Sequence, residues 1–259
     1  MQWLEIIDEP VRKASSVVNL SLSKSALLGL VDLTSLNDTD TEASVSAFAS
    51  KAILPWGQVA AVCVYPQFVT MMAEIFANTD VKVATVVNFP EGNQSLSSVL
   101  AEIKTALTDG AEEIDVVFPY QLYLSGEKKE ASEFIKACKA ACGKEIKLKV
   151  ILETGVLHGL PLIAEVSRVA IMAGADFIKT STGKVAVGAT LPAVAVMLHM
   201  IRELSPLVQR QIGLKISGGV REVRQAAEYI ALVEEIMGKD WIGPQTLRIG
   251  ASKLVEELE

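Results

Sequence analysis

Short runs rich in Val, Ile and Leu alternate along this chain with longer stretches whose apolar residues recur three and four positions apart. The runs suit strands buried on both faces, and the longer stretches suit helices with one covered stripe. Strands are predicted at residues 28–33, 59–65, 82–88, 113–118, 147–153, 176–181, 213–217 and 247–250, and helices at 96–109, 130–141, 162–173, 192–204 and 221–237. Several helices open on polar or proline start signals, and Gly110 and Gly174 stand where C-terminal stops belong. About eight strands alternating with helices is the pattern of a closed (β/α)8 TIM barrel, an α/β fold. The alternative is an open doubly wound sheet. That fold usually has fewer strands and often a glycine-rich loop after the first, whereas Asp32-Leu33-Thr34-Ser35 holds no such loop. Residues 1–26 are expected to form a helical extension that closes one end of the barrel.

Composition narrows the picture. The 259 residues could make two small domains or one barrel, but no linker, low-complexity tract or compositional break divides them, so residues 1–259 are read as one domain. Half of the residues are hydrophobic and 21% are charged, enough for a large core. A net charge of -7 and a pI near 5.1 argue against general affinity for nucleic acid or an anionic membrane, so any phosphate site must be built locally. The opening residues carry early acids and no sustained apolar run, as in a chain without an export signal, and no segment approaches ~20 uninterrupted apolar residues. The cysteines are Cys63, Cys138 and Cys142, without a CxxC pair or zinc-ligand spacing, which fits a reducing cytoplasm and burial as small apolar groups. His158 and His199 form no HxH or HExxH arrangement, so no catalytic metal is expected.

In a barrel the active site gathers at the C-terminal ends of the strands. Polar residues expected there are Asp32, Thr34 and Asn37 after strand 1, Cys63 late in strand 2, Asn88, Asp115 in strand 4, Glu153, Lys179, Thr180 and Lys215. The lysines stand out, because a lysine in an apolar strand is costly to bury unless it is paired or its pKa falls. KLKVILE, DFIKTSTG and GLKIS let Lys149, Lys179 and Lys215 all point into the barrel. They could simply pair with Asp115 or Glu153. The functional reading is amine chemistry: attack on a carbonyl needs a neutral amine, and a neighbouring ammonium together with desolvation supplies it at neutral pH. Lys179 and Lys215 suit such a pair, interchangeably as far as this chemistry goes, and Asp115 can balance charge and, with water, move protons. TGKV at Thr182 to Val185, SGGVR at Ser217 to Arg221 and GASK at Gly250 to Lys253 follow strands 6, 7 and 8, where backbone N–H groups can hold a phosphate. Lys184 and Arg221 add positive charge.

These segments carry a family resemblance. DLTSLN (Asp32 to Asn37), VCVYP (Val62 to Pro66), VNFPEGN (Val87 to Asn93), EIDVVFPY (Glu113 to Tyr120), FIKTSTGKV (Phe177 to Val185) and LKISGGVR (Leu214 to Arg221) together resemble the deoxyribose-phosphate aldolases, from strand 1 to strand 8. The resemblance implies a cofactor-free class I aldolase that reversibly cleaves 2-deoxy-D-ribose 5-phosphate into acetaldehyde and D-glyceraldehyde 3-phosphate in deoxynucleoside breakdown. It further implies Lys179 as the Schiff-base lysine, Lys215 as its modulator and Asp115 as the proton-relay acid. Phosphate contacts carry over to Gly183, Lys184, Gly218, Gly219, Gly250 and Ser252, and pocket-lining positions to Thr34, Asn37, Cys63 and Thr182. Two departures matter. Lys253 stands where some members have a second serine, and the sequence ends at Glu257-Leu258-Glu259 where some members carry a tail with a terminal tyrosine. Proton transfer at the acetaldehyde carbon is therefore expected to be slower or water-mediated. Expected partners are the phosphosugar and aldehyde substrates, with a homodimer compatible. Two other readings stand: a class I aldolase for another phosphosugar or keto acid, and a non-catalytic phosphosugar-binding barrel, which has no use for two adjacent lysines.

Overall fold

The computed structural model describes residues 3–258, so the first two positions of the expected extension and Glu259 lie outside them. Eight parallel strands close on themselves: β1 (Val31–Ser35), β2 (Ala61–Val64), β3 (Lys82–Val87), β4 (Glu113–Val117), β5 (Lys147–Ile151), β6 (Phe177–Lys179), β7 (Gly213–Ser217) and β8 (Leu247–Ala251). Each pairs with its neighbour in sequence, and β8 pairs with β1. This is the expected (β/α)8 barrel, and the open sheet is excluded. β2 is buried at every position, which is why AVCV reads as a continuous run rather than as alternation.

Helices follow the strands in turn: α3 (Glu42–Ala49), α4 (Val69–Phe76), α5 (Leu96–Thr108), α6 (Tyr120–Leu124), α7 (Lys128–Cys142), α8 (Leu160–Met172), α9 (Leu191–Val208), α10 (Val223–Met237) and α11 (Leu254–Leu258). Their ends are set by local chemistry. The Ser95 hydroxyl accepts from Ser98 N at the start of α5, and Thr190 accepts from Ala193 N before α9. Gly110 ends α5 in the left-handed region at φ 102. Cys138 and Cys142 lie buried on one face of α7, and burial pushes their thiols up to about 12 and about 11, which leaves them unreactive. The long apolar helix α9 has the length and composition of a membrane span, but half of it is buried, and it packs between α8 and α10.

Two expectations need correction. The run at 28–33 is not strand from its start. The Ser23 hydroxyl caps Ala26 N and turns Lys24–Leu28 into the short helix α2, so β1 begins at Val31 and runs to Ser35. Asp32 and Thr34 are therefore inside the strand rather than after it. Nor does the leading helix close the barrel end: α1 (Trp3–Ser15) lies outside, against α9 and α10. α2 and a small hairpin of Ile53–Leu54 with Gly57–Gln58, which precede β1 and β2 directly, pack together at the N-terminal end instead.

Candidate active site

Strand alternation aims a set of charged side chains into the barrel, and closure brings them together. Arg248 on β8 is in register with Lys215 on β7, Lys215 with Lys179 on β6, and Lys149 on β5 with Asp115 on β4. Residues in register on neighbouring parallel strands face the same side, so all five point inward. Asp115 is the hub. Its Oδ1 accepts from Lys149 Nζ at 2.8 Å, and its Oδ2 accepts from both Lys179 Nζ and Lys215 Nζ at 2.8 Å. Lys149 also reaches Glu113 Oε2 at 2.6 Å, and Lys215 lies 2.6 Å from Asp32 Oδ2, an ion contact outside hydrogen-bond alignment. Arg248 joins the far sides of the two outer carboxylates, with Nη1 2.6 Å from Asp32 Oδ1 and Nη2 2.9 Å from Glu113 Oε1. The guanidinium lies 5.8 Å from the centre of the Phe177 ring, which fits only because Gly213 carries no side chain: a Cβ there would lie 2.2 Å from the ring.

Every member of this group is buried, and the electrostatics follow from who faces whom. Burial alone would raise the Asp115 carboxyl, but Lys149, Lys179 and Lys215 more than offset it and hold it well below the usual range. Asp32 is likewise held down by Lys215, Arg248 and Lys149 against its burial. Lys215 would lose affinity for its proton on burial, yet Asp115 and Asp32 together push it above an ordinary lysine, and Lys149 is raised by Asp115 and Glu113. Lys179 goes the other way. Burial and the Lys215 ammonium outweigh the single carboxylate it touches, Asp115, and lower it. Of three lysines around one carboxylate, it is the one disposed to give up its proton.

Lys179 is also the lysine that meets the outside. It ends β6 and lines a cleft of about 240 Å³ at the C-terminal end of the barrel. Thr34, Asn37, Thr182, Gly183, Lys184, Gly218, Gly219, Gly250 and Ser252 line the same cleft, as do Leu36, Ser217 and Arg221. Gly218 and Gly219 both have positive φ, 88° and 97°, but for different reasons. A Cβ on Gly218 would lie 2.8 Å from Ser181 Oγ and 2.9 Å from Gly188 Cα, whereas one on Gly219 would meet nothing within 4 Å. Gly218 thus lets two loops touch, and Gly219 leaves its backbone open to a ligand. Glu153 takes the left-handed region at φ 56 just past β5 and accepts from Thr182 Oγ1 at 2.5 Å and from Thr182 N at 3.2 Å. That pins the turn carrying Gly183 and Lys184 above Lys179. At the rim, Lys184 Nζ lies 3.1 Å from Asp38 Oδ1 and over the Tyr65 ring.

The structure brings the expected site residues together with three adjustments. Asp32 and Lys215 lie below the cleft and not on its wall, each engaged with ionic partners on neighbouring strands. Cys63 is fully buried on β2, in an apolar group with Leu36, Ala84 and Val86, and burial pushes its thiol up. Lys253 is exposed and is absent from the cleft lining. The alternative partner for Lys149, Glu153, is taken by Thr182, and Lys149 pairs with Glu113 and Asp115. Sequence reasoning missed Glu113 and Arg248. Both carried a signal: Glu113 stands two residues from Asp115 in EIDVV, and Arg248 sits in the apolar run TLRIG just as the lysines sit in theirs. A larger groove of about 690 Å³, lined by residues such as Leu96, Pro119, Leu122 and Phe134, holds no lysine or arginine, so the chemistry belongs to the smaller cleft.

This arrangement can present an amine of lowered proton affinity to a carbonyl at the bottom of the cleft, while the loops after β7 and β8 offer N–H groups, and the loop after β6 the Lys184 ammonium, to an anionic end of the same molecule. Comparison with known proteins points the same way. A model of the DeoC/LacD family of aldolases matches residues 26–248. A protein from Coccidioides immitis assigned as a deoxyribose-phosphate aldolase is 28% identical, with 99% of this chain and 96% of that chain covered and a TM-score of 0.80. One with the same assignment from Toxoplasma gondii is 26% identical, covering 96% and 95%, with a TM-score of 0.81. The tetrameric deoxyribose phosphate aldolase of Aeropyrum pernix is 25% identical, with 96% of each chain covered and a TM-score of 0.76.

Proposed function

Because the chain belongs to the DeoC/LacD family of aldolases, we propose that it reversibly cleaves 2-deoxy-D-ribose 5-phosphate to acetaldehyde and D-glyceraldehyde 3-phosphate through a Schiff base on Lys179. The observation that carries this reading is the asymmetry of the lysines. Lys179 touches one carboxylate, is lowered, and faces the cleft; Lys149 and Lys215 each touch two carboxylates within 2.8 Å and stay charged beneath it.

The sequence of events follows from that geometry. The neutral Lys179 amine adds to C1 of the open-chain aldehyde, and loss of water gives a protonated imine. The bond between C2 and C3 then breaks as the C3 hydroxyl gives up its proton. The electron pair moves into the imine to form an enamine, and glyceraldehyde 3-phosphate leaves. Protonation of the enamine at C2 and hydrolysis of the imine release acetaldehyde and restore the amine. Asp115, held as a carboxylate, accepts and returns protons through water while Lys215 stays protonated beside it. The substrate phosphate lies against the backbone of Gly218, Gly219 and Gly250 with Gly183, Ser252 and Lys184, and Thr34, Asn37 and Thr182 face the sugar hydroxyls. The three unpaired cysteines suit a protein working in the cytoplasm.

The test is to incubate the protein with 2-deoxyribose 5-phosphate, measure both aldehydes, and reduce the mixture with borohydride. Release of both products with a reduced adduct on the Lys179 peptide is expected. No cleavage of this sugar phosphate, or an adduct on another lysine, would overturn the assignment.

A further inference from the structure

Among the described residues, the charged groups joined by ion contacts inside the barrel form a set that can be counted. Asp32, Glu113 and Asp115 supply three carboxylates; Lys149, Lys179, Lys215 and Arg248 supply four cations, and each cation lies within 3 Å of at least one of these carboxylates. A buried cluster is strongly disfavoured from carrying net charge, so four cations facing three carboxylates are one proton over. The excess proton cannot leave Arg248, whose guanidinium does not deprotonate in proteins. Lys149 and Lys215 are each held by two carboxylates. Only Lys179 is held by one.

Among the described residues, Asp115 is the one carboxylate in ion contact with Lys179. β2 faces it with Cys63, whose thiol is kept protonated by burial, and β3 adds only Ala84 and Val86 to that apolar patch. Asp115 comes from β4 and Lys215 from β7; Asp32, Glu113, Lys149 and Arg248 complete the layer from β1, β4, β5 and β8. Glu153 is occupied by Thr182, and Lys184 by Asp38 at the rim.

We infer that Arg248 is a positioning residue that sets the proton count of this cluster, and so keeps Lys179 as the free amine although it touches neither Lys179 nor the cleft. Without the guanidinium the set is three cations on three carboxylates, and Lys179 keeps its proton. This rests on the reading of Lys179 as the reacting amine, but its test does not need that reading. Competitive labelling with acetic anhydride across pH, read by mass spectrometry on the Lys179 peptide, reports the free amine without any substrate.

The variants are Arg248→Gln, Glu113→Gln and the double variant, each checked by circular dichroism and by its melting temperature. In Arg248→Gln, labelling of Lys179 at neutral pH should fall by about tenfold or more and recover at alkaline pH. The acid limb of the pH–kcat/KM profile for 2-deoxyribose 5-phosphate should move in the same direction. Removing Glu113 as well restores a one-proton excess, now shared between Lys179 and Lys149, which keeps Asp115 at 2.8 Å and Asp32 at 3.8 Å, so the double variant should regain part of the labelling at neutral pH. Glu113→Gln alone should never move the curve to higher pH. The double variant also keeps the test alive if Arg248→Gln does not fold, because each remaining carboxylate keeps a lysine within 3 Å; an alkaline shift there of tenfold or more would overturn the inference. So would a folded Arg248→Gln with wild-type labelling, or one whose activity falls equally at every pH, as a merely structural role requires. If wild-type Lys179 labels as predicted but traps no imine, the proposed reaction fails and the proton count stands.

Discussion

Lys215→Met removes one buried ammonium from beside another. The nitrogens of Lys179 and Lys215 both lie 2.8 Å from Asp115 Oδ2, so they are separated by no more than about 5.6 Å, twice that distance. At an effective dielectric near 20 their repulsion is about 3 kcal/mol, roughly a hundredfold in the ratio of free amine to ammonium. The substitution also strips Asp32 Oδ2 of its 2.6 Å partner and leaves Lys149 at 3.8 Å, and it frees Asp115 Oδ2 to hold Lys179 alone. Both changes act in the same direction as the lost repulsion. Trapping of substrate on Lys179 by borohydride should therefore drop about a hundredfold at neutral pH and rise again as the pH approaches that of an ordinary lysine. Taking away one of the two cations close to Asp32, with Arg248 still 2.6 Å from its Oδ1, should cost about 1 to 3 kcal/mol of stability, so melting curves must accompany the assay. A folded Lys215→Met protein that traps substrate at neutral pH as well as wild type would refute the argument from like charge, as would a wild-type adduct on Lys215.

Other outcomes follow from the same geometry. Activity should survive EDTA: in the proposed reaction an imine is the electron sink, and among the described residues no three His, Cys, Asp or Glu side chains are arranged to hold a metal ion. Loss of activity restored by a divalent ion would contradict the class I mechanism. Gly219→Asp places a carboxylate at an open position beside the cleft, at a left-handed φ of 97°. It should raise KM for the phosphorylated sugar about tenfold or more, by repulsion and blocked N–H groups, at a strain of about 1 to 2 kcal/mol. An unchanged KM in the folded variant would remove Gly219 from the phosphate site.

Much of this was legible in the sequence because burial is expensive for a charge. A lysine flanked by apolar residues in a strand must have a reason to be there, and period two fixes which way it points, so Lys149, Lys179 and Lys215 could be aimed inward from KLKVI, FIK and GLKIS alone. Which carboxylate each would meet could not be read, because that depends on closing the barrel. Glu113 and Arg248 are 135 positions apart and meet across its interior. Arg248 obeyed the same rule as the lysines and went unnoticed beside the Gly250 loop that follows it. The start of β1 was misplaced because a hydroxyl cap at Ser23 outweighed the apolar run after it. α3 and α4, of 8 residues each, were too short for their periodicity to register.

The ionic interior also bears on what the barrel gives up. Barrels of this kind commonly fill their centre with layers of branched apolar side chains, which pack densely and need no partners. Here part of that volume goes to three carboxylates and four cations, whose desolvation their mutual attraction barely recovers. Removing one member leaves a buried charge unpaired, whereas exchanging the whole set for packed apolar groups would not. The cluster is therefore poor at holding the fold together. What it does provide is a fixed electrostatic environment on eight rigid strands, in which the least-paired lysine is exposed to the cleft while its charged neighbours are locked below. At the rim, Gly183 and Gly219 can vary without touching that set, since a Cβ at either meets nothing within 4 Å. Substrate preference thus rests with the rim and amine reactivity with the strands, so a change at Gly219 and a change at Lys215 should act on different kinetic constants.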